Sequence, residues 1–219
     1  MQAYYPFNGY ATDESDNGND GTVSGSASYP TGVDESSLSL DDDYVDLASG
    51  DRFAFENFTV SVWARAAENT SSELRTVIER ADNDQFSRTF AIWFDDSNAY
   101  FGSDAIAAKI GTDNTPSIVA SDEDYTDDAW HHIAVTVESD DEDEDDEGTF
   151  ALYVDGKKNH EESITGTPDT GAATTRVGKS AASGYDADRY LDGDVDELRI
   201  YDRALTAAEV ESLYRIDNP

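Results

Sequence analysis

The sequence predicts an all-β protein: two antiparallel sheets stacked as a sandwich, with one short helix near the C-terminus. Three observations lead to this class. Segments with apolar residues at alternate positions recur along the chain, a pattern typical of strands that bury one face. Clusters of Gly, Asp, Asn and Ser separate these segments at the short spacing of a sandwich or barrel. A helix start signal followed by helical periodicity stands out at one place, near the end of the chain.

The clearest strand covers residues 57–66. One of its faces carries only apolar side chains, those of Phe58, Val60, Val62 and Ala64. The other face is mostly polar, which predicts a half-buried strand. Further strands are predicted, in chain order, over residues 75–81, 89–95, 99–102, 105–110, 130–137, 149–154, 175–177 and 194–201. Asp155 and Gly156 favour a two-residue hairpin, because both central positions of a type I′ turn need positive φ.

The helix is predicted over residues 206–215. Thr206 is a good N-cap, and Glu209 three residues later completes a capping box. Leu205 and Val210 are placed to form a hydrophobic staple across this cap. Because a helix of about two and a half turns is marginal in isolation, we expect it to pack against the sandwich.

An acidic loop is predicted over residues 138–148. Every residue from 140 to 147 is Asp or Glu, and like charges in such a run repel one another and stay solvated. The alternative is a specific calcium site. We favour the solvated loop, because contiguous carboxylates need a sharp turn before they can converge on one ion.

The length is that of one large domain, which we predict over residues 1–219. A chain of this size buries about 70% of the surface that its unfolded form exposes. The sequence has no Cys, so folding depends on this core. Intrinsic disorder is the alternative suggested by the high charge, but 3 Trp, 12 Tyr and 9 Phe in strand-like segments argue against it.

The charge is strongly negative. Asp and Glu number 49 against 14 Lys and Arg, for a formal net charge of −35. Self-repulsion of this kind opposes folding and is screened when the Debye length falls from about 30 Å at 0.01 M salt to about 3 Å at 1 M. We therefore predict a protein of a halophilic archaeon or its virus. We expect no nucleic-acid partner, because such a surface repels phosphate, and no membrane insertion, because no apolar run approaches about 18 residues.

Four groups of segments occur in an order that resembles a known family. They are residues 5–9 with 13–21, 43–47 with 58–63, 130–136 with 152–156, and 193–205 followed by the helix. Together they resemble the laminin G-like branch of the concanavalin A-like lectin/glucanase superfamily, over about residues 4–215. The resemblance implies two curved antiparallel sheets with jelly-roll topology. It does not imply one ligand, because this superfamily contains both binding proteins and hydrolases.

The resemblance also implies a structural calcium ion between the opening loop and the last strand. Carried over to this sequence, its ligands are Asp13, Asn17, Asn19 and Asp196, with Glu197 as a possible addition. Carboxylate and amide oxygens are the ligands that Ca²⁺ prefers. Asp16 stands where the family commonly has Gly, which alters the turn of this loop. The alternative is an Asx-rich turn whose side chains bond their own backbone.

Three tyrosines are the candidate ligand-binding residues. Sugar binding needs exposed aromatic side chains beside polar groups, and Tyr125, Tyr185 and Tyr190 occur in loop-like, Asp-rich segments. The alternative is that each ring packs on its own loop, since scattered exposed apolar groups are ordinary.

Catalysis is not predicted. Retaining glycoside hydrolases need two carboxyl groups about 5 Å apart, which the glucanase side of the superfamily supplies as Glu-x-Asp-x-x-Glu. The sequence lacks this pattern, and residues 194–197 come nearest without its spacing. It also lacks the Gly-x-Ser-x-Gly nucleophile elbow. We therefore expect no enzyme activity.

The predicted function is a non-catalytic extracellular recognition or adhesion module that binds a glycan or a host or cell-surface protein in high salt. One alternative is a structural component of a virion or cell surface that binds its own copies or capsid or tail proteins. The lack of a basic segment followed by an apolar one at the N-terminus favours this alternative. A divergent glycan hydrolase is the second alternative.

Overall fold

The computed structural model describes residues 1–66, 74–82, 88–95, 104–112, 116–139, 147–182 and 189–217. These residues form two antiparallel β-sheets and one short helix, which confirms the predicted fold class. The elements are β1 (Ala3–Tyr5), β2 (Thr22–Ser24), β3 (Leu38–Leu40), β4 (Tyr44–Asp46), β5 (Phe58–Arg65), β6 (Leu74–Ala81), β7 (Arg88–Asp95), β8 (Ala105–Ile110), β9 (Ser117–Ala120), β10 (His131–Glu138), β11 (Gly148–Val154), β12 (Lys157–Ile164), β13 (Thr174–Val177), β14 (Gly193–Tyr201) and α1 (Ala207–Asp217).

Each sheet contains seven described strands. The first sheet has the order β1-β14-β5-β10-β11-β12, with β3 also paired to β14. The second has the order β2-β4-β13-β6-β7-β8-β9. Neighbouring strands are often distant in the chain: the first strand pairs with the last, with Tyr5 opposite Leu198. The chain also crosses repeatedly between the sheets, since β1, β3 and β5 lie in the first sheet and β2 and β4 in the second. This path is consistent with jelly-roll topology.

The core lies between the inner faces of the two sheets. Phe58 and Val60 on β5 and Ile133 on β10 point into it from the first sheet. Phe90 and Ile92 on β7 meet them from the second, and the rings of Phe58 and Phe90 lie 5.3 Å apart. Burying one such side chain contributes about 1.5–3 kcal/mol, so this interior is the main source of stability.

The outer face of β5 corrects a prediction. The alternating pattern predicted a half-buried strand, but both faces of β5 are buried. On the outer face, Ser61 hydrogen-bonds the His132 ring at 2.9 Å, and Trp63 stacks on Tyr214 of α1 at 5.6 Å. The segment before α1 also packs here, where the Leu205 N–H donates to the Thr59 hydroxyl at 2.9 Å. The prediction was wrong because α1 covers a face that the pattern leaves exposed.

Helix α1 begins as predicted and runs two residues further, to Asp217. The capping box forms: the Thr206 N–H donates to Glu209 Oε2 at 2.9 Å, and the Glu209 N–H donates to Thr206 Oγ1 at 3.3 Å. Leu205 and Val210 share one apolar cluster with the first sheet. No helix in the described part of the chain is both long and apolar enough to cross a membrane.

Eight predicted strands agree with the structure to within one residue at either end. The prediction over 99–102 lies outside the described residues. The acidic loop connects β10 to β11, which pair directly with Glu138 opposite Thr149, although residues 140–146 of it lie outside the described residues. The hairpin turn is confirmed, because Asp155 and Gly156 have φ of 50° and 74°. The pattern missed β12, which the turn leads into.

Candidate ligand-binding cleft

A polar cleft of about 340 Å³ lies where the opening loop meets the segment after β4. One wall comes from the loop between β1 and β2, and the other from the turn that precedes β5. The residues that line it are Gln2, Asn17, Asn19, Asp51, Arg52, Phe53 and Phe55. The cleft therefore combines three amides, one carboxylate and one guanidinium with two phenyl rings.

Asp13 organises the first wall. Its carboxylate accepts backbone N–H groups from Tyr4 at 3.0 Å, Ser15 at 2.9 Å and Asn19 at 2.9 Å. The bond to Ser15, two residues further on, is an Asx turn. Burial of Asp13 favours the neutral acid, but the hydrogen bonds from Ser15, Asn19 and Tyr4 outweigh it and lower the pKa of this carboxyl. Asp13 thus holds the loop from inside and does not face the cleft as a free acceptor.

The two asparagines of this wall are tied to the start of β1. The side-chain amides of Asn19 and Asn17 donate to the Gln2 carbonyl at 2.8 and 3.2 Å. The Tyr5 hydroxyl donates to the Asn19 carbonyl at 2.5 Å from within the core. Asn19 is buried and Asn17 is exposed at the rim. The first wall is therefore fixed in place and presents Asn17 to solvent.

The second wall is a tight turn that is anchored by Phe53. The Ala54 N–H donates to the Asp51 carbonyl at 3.1 Å. Phe53 has a φ of 61° and only 3% of it is exposed. A bulky residue in the left-handed region is an outlier and costs about 1–2 kcal/mol. Burial of its ring offsets this cost and leaves Asp51 and Arg52 exposed at the cleft.

Arg80 on β6 holds the second wall from behind. It is completely buried. Its guanidinium donates to the carbonyls of Gly50 at 3.1 Å, Gly171 at 2.6 Å and Arg52 at 3.4 Å, and to the Thr89 hydroxyl at 2.5 Å. Burial lowers the pKa of Arg80 from its usual range. One side chain therefore ties the turn after β4 to the segment before β13 and to β7.

The two walls also contact each other directly. The Arg52 guanidinium donates a hydrogen bond to the side-chain oxygen of Asn19. Phe55 lies beside this pair and is half-buried against the core. Planar donors and acceptors next to a phenyl ring suit a ligand with several hydroxyl groups and an apolar face.

The predicted calcium ligands fall into two sets with different partners. Asp196 is buried, and its carboxylate accepts N–H groups from Val33 at 2.8 Å, Asp34 at 3.3 Å and Glu197 at 2.9 Å. Burial nevertheless raises the pKa of Asp196 to about 7. Glu197 accepts the Tyr4 hydroxyl at 2.9 Å and bonds Arg199. These carboxylates are thus already engaged by protein donors.

The opening-loop residues are engaged in the same way, as described for Asp13 and Asn19. Across the described ranges, no group of three or more His, Cys, Asp or Glu side chains is placed to hold one metal ion. Protein donors thus already engage the carboxylates that were predicted to bind calcium. Two of the predicted ligands, Asn17 and Asn19, line the cleft.

The predicted ligand-binding tyrosines differ from one another in their surroundings. Tyr125 is only 9% exposed, and its ring packs edge-on against His131 at 4.8 Å, so it does not offer a face to solvent. Burial raises its pKa. Tyr185 lies outside the described residues. Tyr190 is half-buried, and its hydroxyl accepts a hydrogen bond from Lys179 at 2.6 Å.

Sequence patterns missed most of the cleft. Asp51, Arg52 and Phe53 sit in a turn with no periodic signal, and Arg80 occupies an ordinary strand position. The Arg52–Asn19 contact joins residues 33 positions apart. The cluster of Asn and Asp in the opening loop was the only signal, and it was interpreted as a metal site.

A family model described as Laminin_G_3, of the Concanavalin A-like lectin/glucanases superfamily, matches residues 39–211. This range is well over half of the chain. No curated protein sequence matches this chain.

Solved structures with the same fold include domain 4 of AbnA, an extracellular GH43 arabinanase from Geobacillus stearothermophilus, in complex with arabinotriose. The similarity to it covers 97% of both chains at 21% identity and a TM-score of 0.72. The binding domain of Paraclostridial Mosquitocidal Protein 1 is similar over 93% of this chain and 48% of that one, at 17% identity and a TM-score of 0.65. The binding domain of Botulinum Neurotoxin DC in complex with SialylT is similar over 99% of this chain and 51% of that one, at 14% identity and a TM-score of 0.68. The chain thus spans about half the length of these toxin domains, and identities this low establish the fold alone.

Proposed function

Because this chain belongs to the Laminin_G_3 family of the concanavalin A-like lectin/glucanases superfamily, we propose that it is a non-catalytic module that binds a glycan. The observation that carries the proposal is the cleft between the opening loop and the turn after β4. It places amide, carboxylate and guanidinium groups beside a half-buried phenyl ring. Few precisely placed polar groups in a mainly preformed concavity are typical of small-ligand sites.

The chemistry of these groups matches sugar hydroxyls. A hydroxyl both donates and accepts hydrogen bonds, so it can donate to Asp51, accept from Arg52, or do either with Asn17. The ring of Phe55 offers an apolar surface at the same place. The volume of about 340 Å³ lies at the lower end of the roughly 300–1,000 Å³ range of such sites. We therefore expect a short stretch of glycan to occupy the cleft.

The comparisons support a glycan more than another small ligand. One structural neighbour was solved with arabinotriose, and another with SialylT. The first is one domain of a larger arabinanase, and the second is a toxin binding domain. Because they share only the fold with this chain, they guide the choice of probes and do not identify the sugar.

Binding is favoured over hydrolysis by the number of acidic groups at the cleft. Glycoside hydrolases use two carboxyl groups on either side of the scissile bond. Asp51 is the single acidic residue among the described residues that line the cleft. One carboxylate can orient a sugar but cannot supply both an acid and a nucleophile or base.

We further propose that the module acts outside the cell, on a host or cell surface, in high salt. The net charge of −35 supports the salt requirement, because screening removes the self-repulsion. A structural role through binding of its own copies is less supported. Large exposed hydrophobic residues in the described part of the chain are Met1, Tyr10 and Ile216, which is few for the apolar centre of a stable interface.

The test is calorimetric titration in 2 M KCl with arabinotriose and a panel of other neutral oligosaccharides. We expect at least one to bind, and we expect Asn17→Ala and Asp51→Ala each to weaken it about tenfold, equivalent to about 1.4 kcal/mol. Asp122→Ala, an exposed acidic residue away from the cleft, serves as the control and should bind normally. Equal binding by both cleft variants and the control would contradict the proposal.

A further inference from the structure

A second cluster of aromatic and basic side chains lies on the outer surface of the second sheet, away from the cleft. The Lys179 ammonium lies 4.4 Å from the ring centroid of Tyr190 and 5.1 Å from that of Tyr44. The Arg176 guanidinium lies 4.5 Å from the Tyr44 ring. All four side chains are half-buried and therefore still reach solvent. We call Tyr44, Arg176, Lys179 and Tyr190 the tyrosine–lysine patch.

The strand pairing explains how this patch forms. In the β4–β13 pair, Val45 lies opposite Val177, and both point into the core. Because successive side chains alternate between faces, Tyr44 and Arg176 lie on the outer face. Lys179 then pairs with Tyr190 in an isolated antiparallel bridge, which brings the second ring beside the ammonium.

The patch and the cleft are lined by different residues, since none of the four patch residues lines the cleft. Tyr44 begins β4, whereas Gly50, whose carbonyl Arg80 holds, leads into the cleft. Because the two sets of residues do not overlap, the two surfaces can be tested separately.

The charges of the patch are not balanced. Arg176 pairs with Asp46 at 2.8 Å. Lys179 donates to the Tyr190 hydroxyl at 2.6 Å, and its ammonium forms no ion pair with another described residue. A lysine has three donors, so two remain for a ligand. In a chain with 49 acidic and 14 basic residues, an ammonium that lies between two rings and forms no ion pair among the described residues is a distinctive feature.

We propose that the tyrosine–lysine patch is a second binding site, specific for a sugar that carries a carboxylate, such as a uronic acid. Tyrosine rings provide flat surfaces against which the C–H face of a sugar ring can pack, with hydroxyl groups that also form hydrogen bonds. The Lys179 ammonium supplies the charge complement to one carboxylate. A neutral sugar gains nothing from this charge, and an acidic peptide gains little from the two rings.

The test uses trigalacturonic acid and its neutral methyl ester as probes, titrated in 1 M KCl. Both have the same sugar chain and the ester lacks the negative charges, so their difference reports the carboxylates. We expect the acid to bind at least fivefold more tightly than the ester. Lys179→Met should reduce the affinity for the acid to that for the ester. The matched control is Lys158→Met, since Lys158 is exposed on β12 and should leave the preference unchanged.

Three outcomes would overturn the proposal. The first is equal affinity for acid and ester. The second is a Lys179→Met variant, folded by its thermal midpoint, that keeps the preference for the acid. The third is equally tight binding of a glutamate-rich peptide, which would assign the patch to an acidic protein segment. Asp51→Ala should leave acid binding unchanged, so failure at the cleft and failure at the patch are distinguishable.

Discussion

Two buried arginines hold different parts of this molecule, and they do so with different kinds of acceptor. Arg199, on β14, lies beneath α1 and is 8% exposed; it binds both oxygens of Asp217 at 2.6 and 3.0 Å and the carboxylate of Glu197. Arg80, on β6, is completely buried behind the cleft and binds backbone carbonyls and one hydroxyl. One region is closed by ion pairs, and the other is held by neutral dipoles.

The pKa directions reflect this difference. Burial alone would lower the pKa of Arg199, but the hydrogen bonds and charges of Asp217 and Glu197 outweigh it and raise the pKa. Burial lowers the pKa of Arg80, and the nearby charges of Asp169 and Asp51 do not outweigh this effect. The arrangement at Arg199 ties the last residue of α1 to the sheet. The arrangement at Arg80 supports the cleft wall through backbone carbonyls and one hydroxyl.

The largest effect is expected from Arg199→Met. The substitution leaves the buried Glu197 carboxylate without its positive partner, and removing one partner of a buried pair costs roughly 3–5 kcal/mol. Urea unfolding in constant KCl measures the loss. Arg215→Met removes an exposed ion pair on the same helix and should change stability by less than about 1 kcal/mol. Similar losses in both variants would show that Arg199 does not hold the helix as described.

A somewhat smaller loss, about 3 kcal/mol, is expected from Arg80→Met, because each buried carbonyl left without a donor costs about 1–3 kcal/mol. The same variant should lose glycan binding at the cleft, since the turn that carries Asp51 and Arg52 loses its support. Arg80→Lys should not restore either property, because an ammonium cannot match the fork of a guanidinium. Normal glycan binding by Arg80→Met would show that the cleft does not depend on the contacts of Arg80.

His132, under α1, predicts a pH effect on the helix side. Its burial lowers the pKa to about 4 from 6.5. Between these values the unfolded chain binds the extra proton, so this histidine makes the protein less stable as the pH falls from about 6.5 to 4, by up to about 3 kcal/mol. Asp196, with a raised pKa of about 7, acts in the opposite direction, because its stabilising contribution is lost as the pH rises towards 7.

The contribution of His132 can be isolated as the difference in unfolding free energy between the wild type and His132→Gln, measured across this range. Asp196 is present in both proteins and cancels. From pH 7 to pH 4, the wild type should lose up to about 3 kcal/mol of unfolding free energy relative to His132→Gln. A constant difference would show that the ring is not buried as a neutral group.

The smallest effect concerns calcium. Because the opening loop is closed by Asp13 without a metal, added Ca²⁺ at fixed ionic strength should not raise the melting temperature. Asp13→Ala should still destabilise the protein by about 2 kcal/mol, since three backbone N–H groups lose their acceptor. A clear rise in the melting temperature with Ca²⁺ that is absent in Asp13→Ala would show that Asp13 takes part in a calcium site.

Strands with a strong apolar alternation were predictable, and weak ones were not. For β5 and β10 the pattern located both ends to within one residue. It missed β12, whose side chains are mostly exposed and polar. This strand forms because β11 offers it a row of hydrogen-bonding groups, and a partner strand leaves no trace in the local pattern.

For the candidate site, the sequence identified one wall of the cleft and predicted a calcium ion there. Asn17 and Asn19 were selected as oxygen ligands, and both line the cleft. The opposite wall was invisible, because Arg52 gains its meaning only from contact with Asn19. Tyr190 is predicted as an exposed aromatic, but its partner Lys179 and the second ring, Tyr44, come from separate segments of the chain.

By itself, the sequence determined the all-β class, the position of most strands, the hairpin at Asp155 and the capped helix, because each depends on residues within a few positions of one another. The tertiary structure alone decided which outer face is covered, where the cleft opens and which side chains meet in the tyrosine–lysine patch. These depend on contacts such as that of Arg80 with Gly171, 91 residues away. Local patterns specify elements, whereas surfaces that bind ligands are made where distant elements meet.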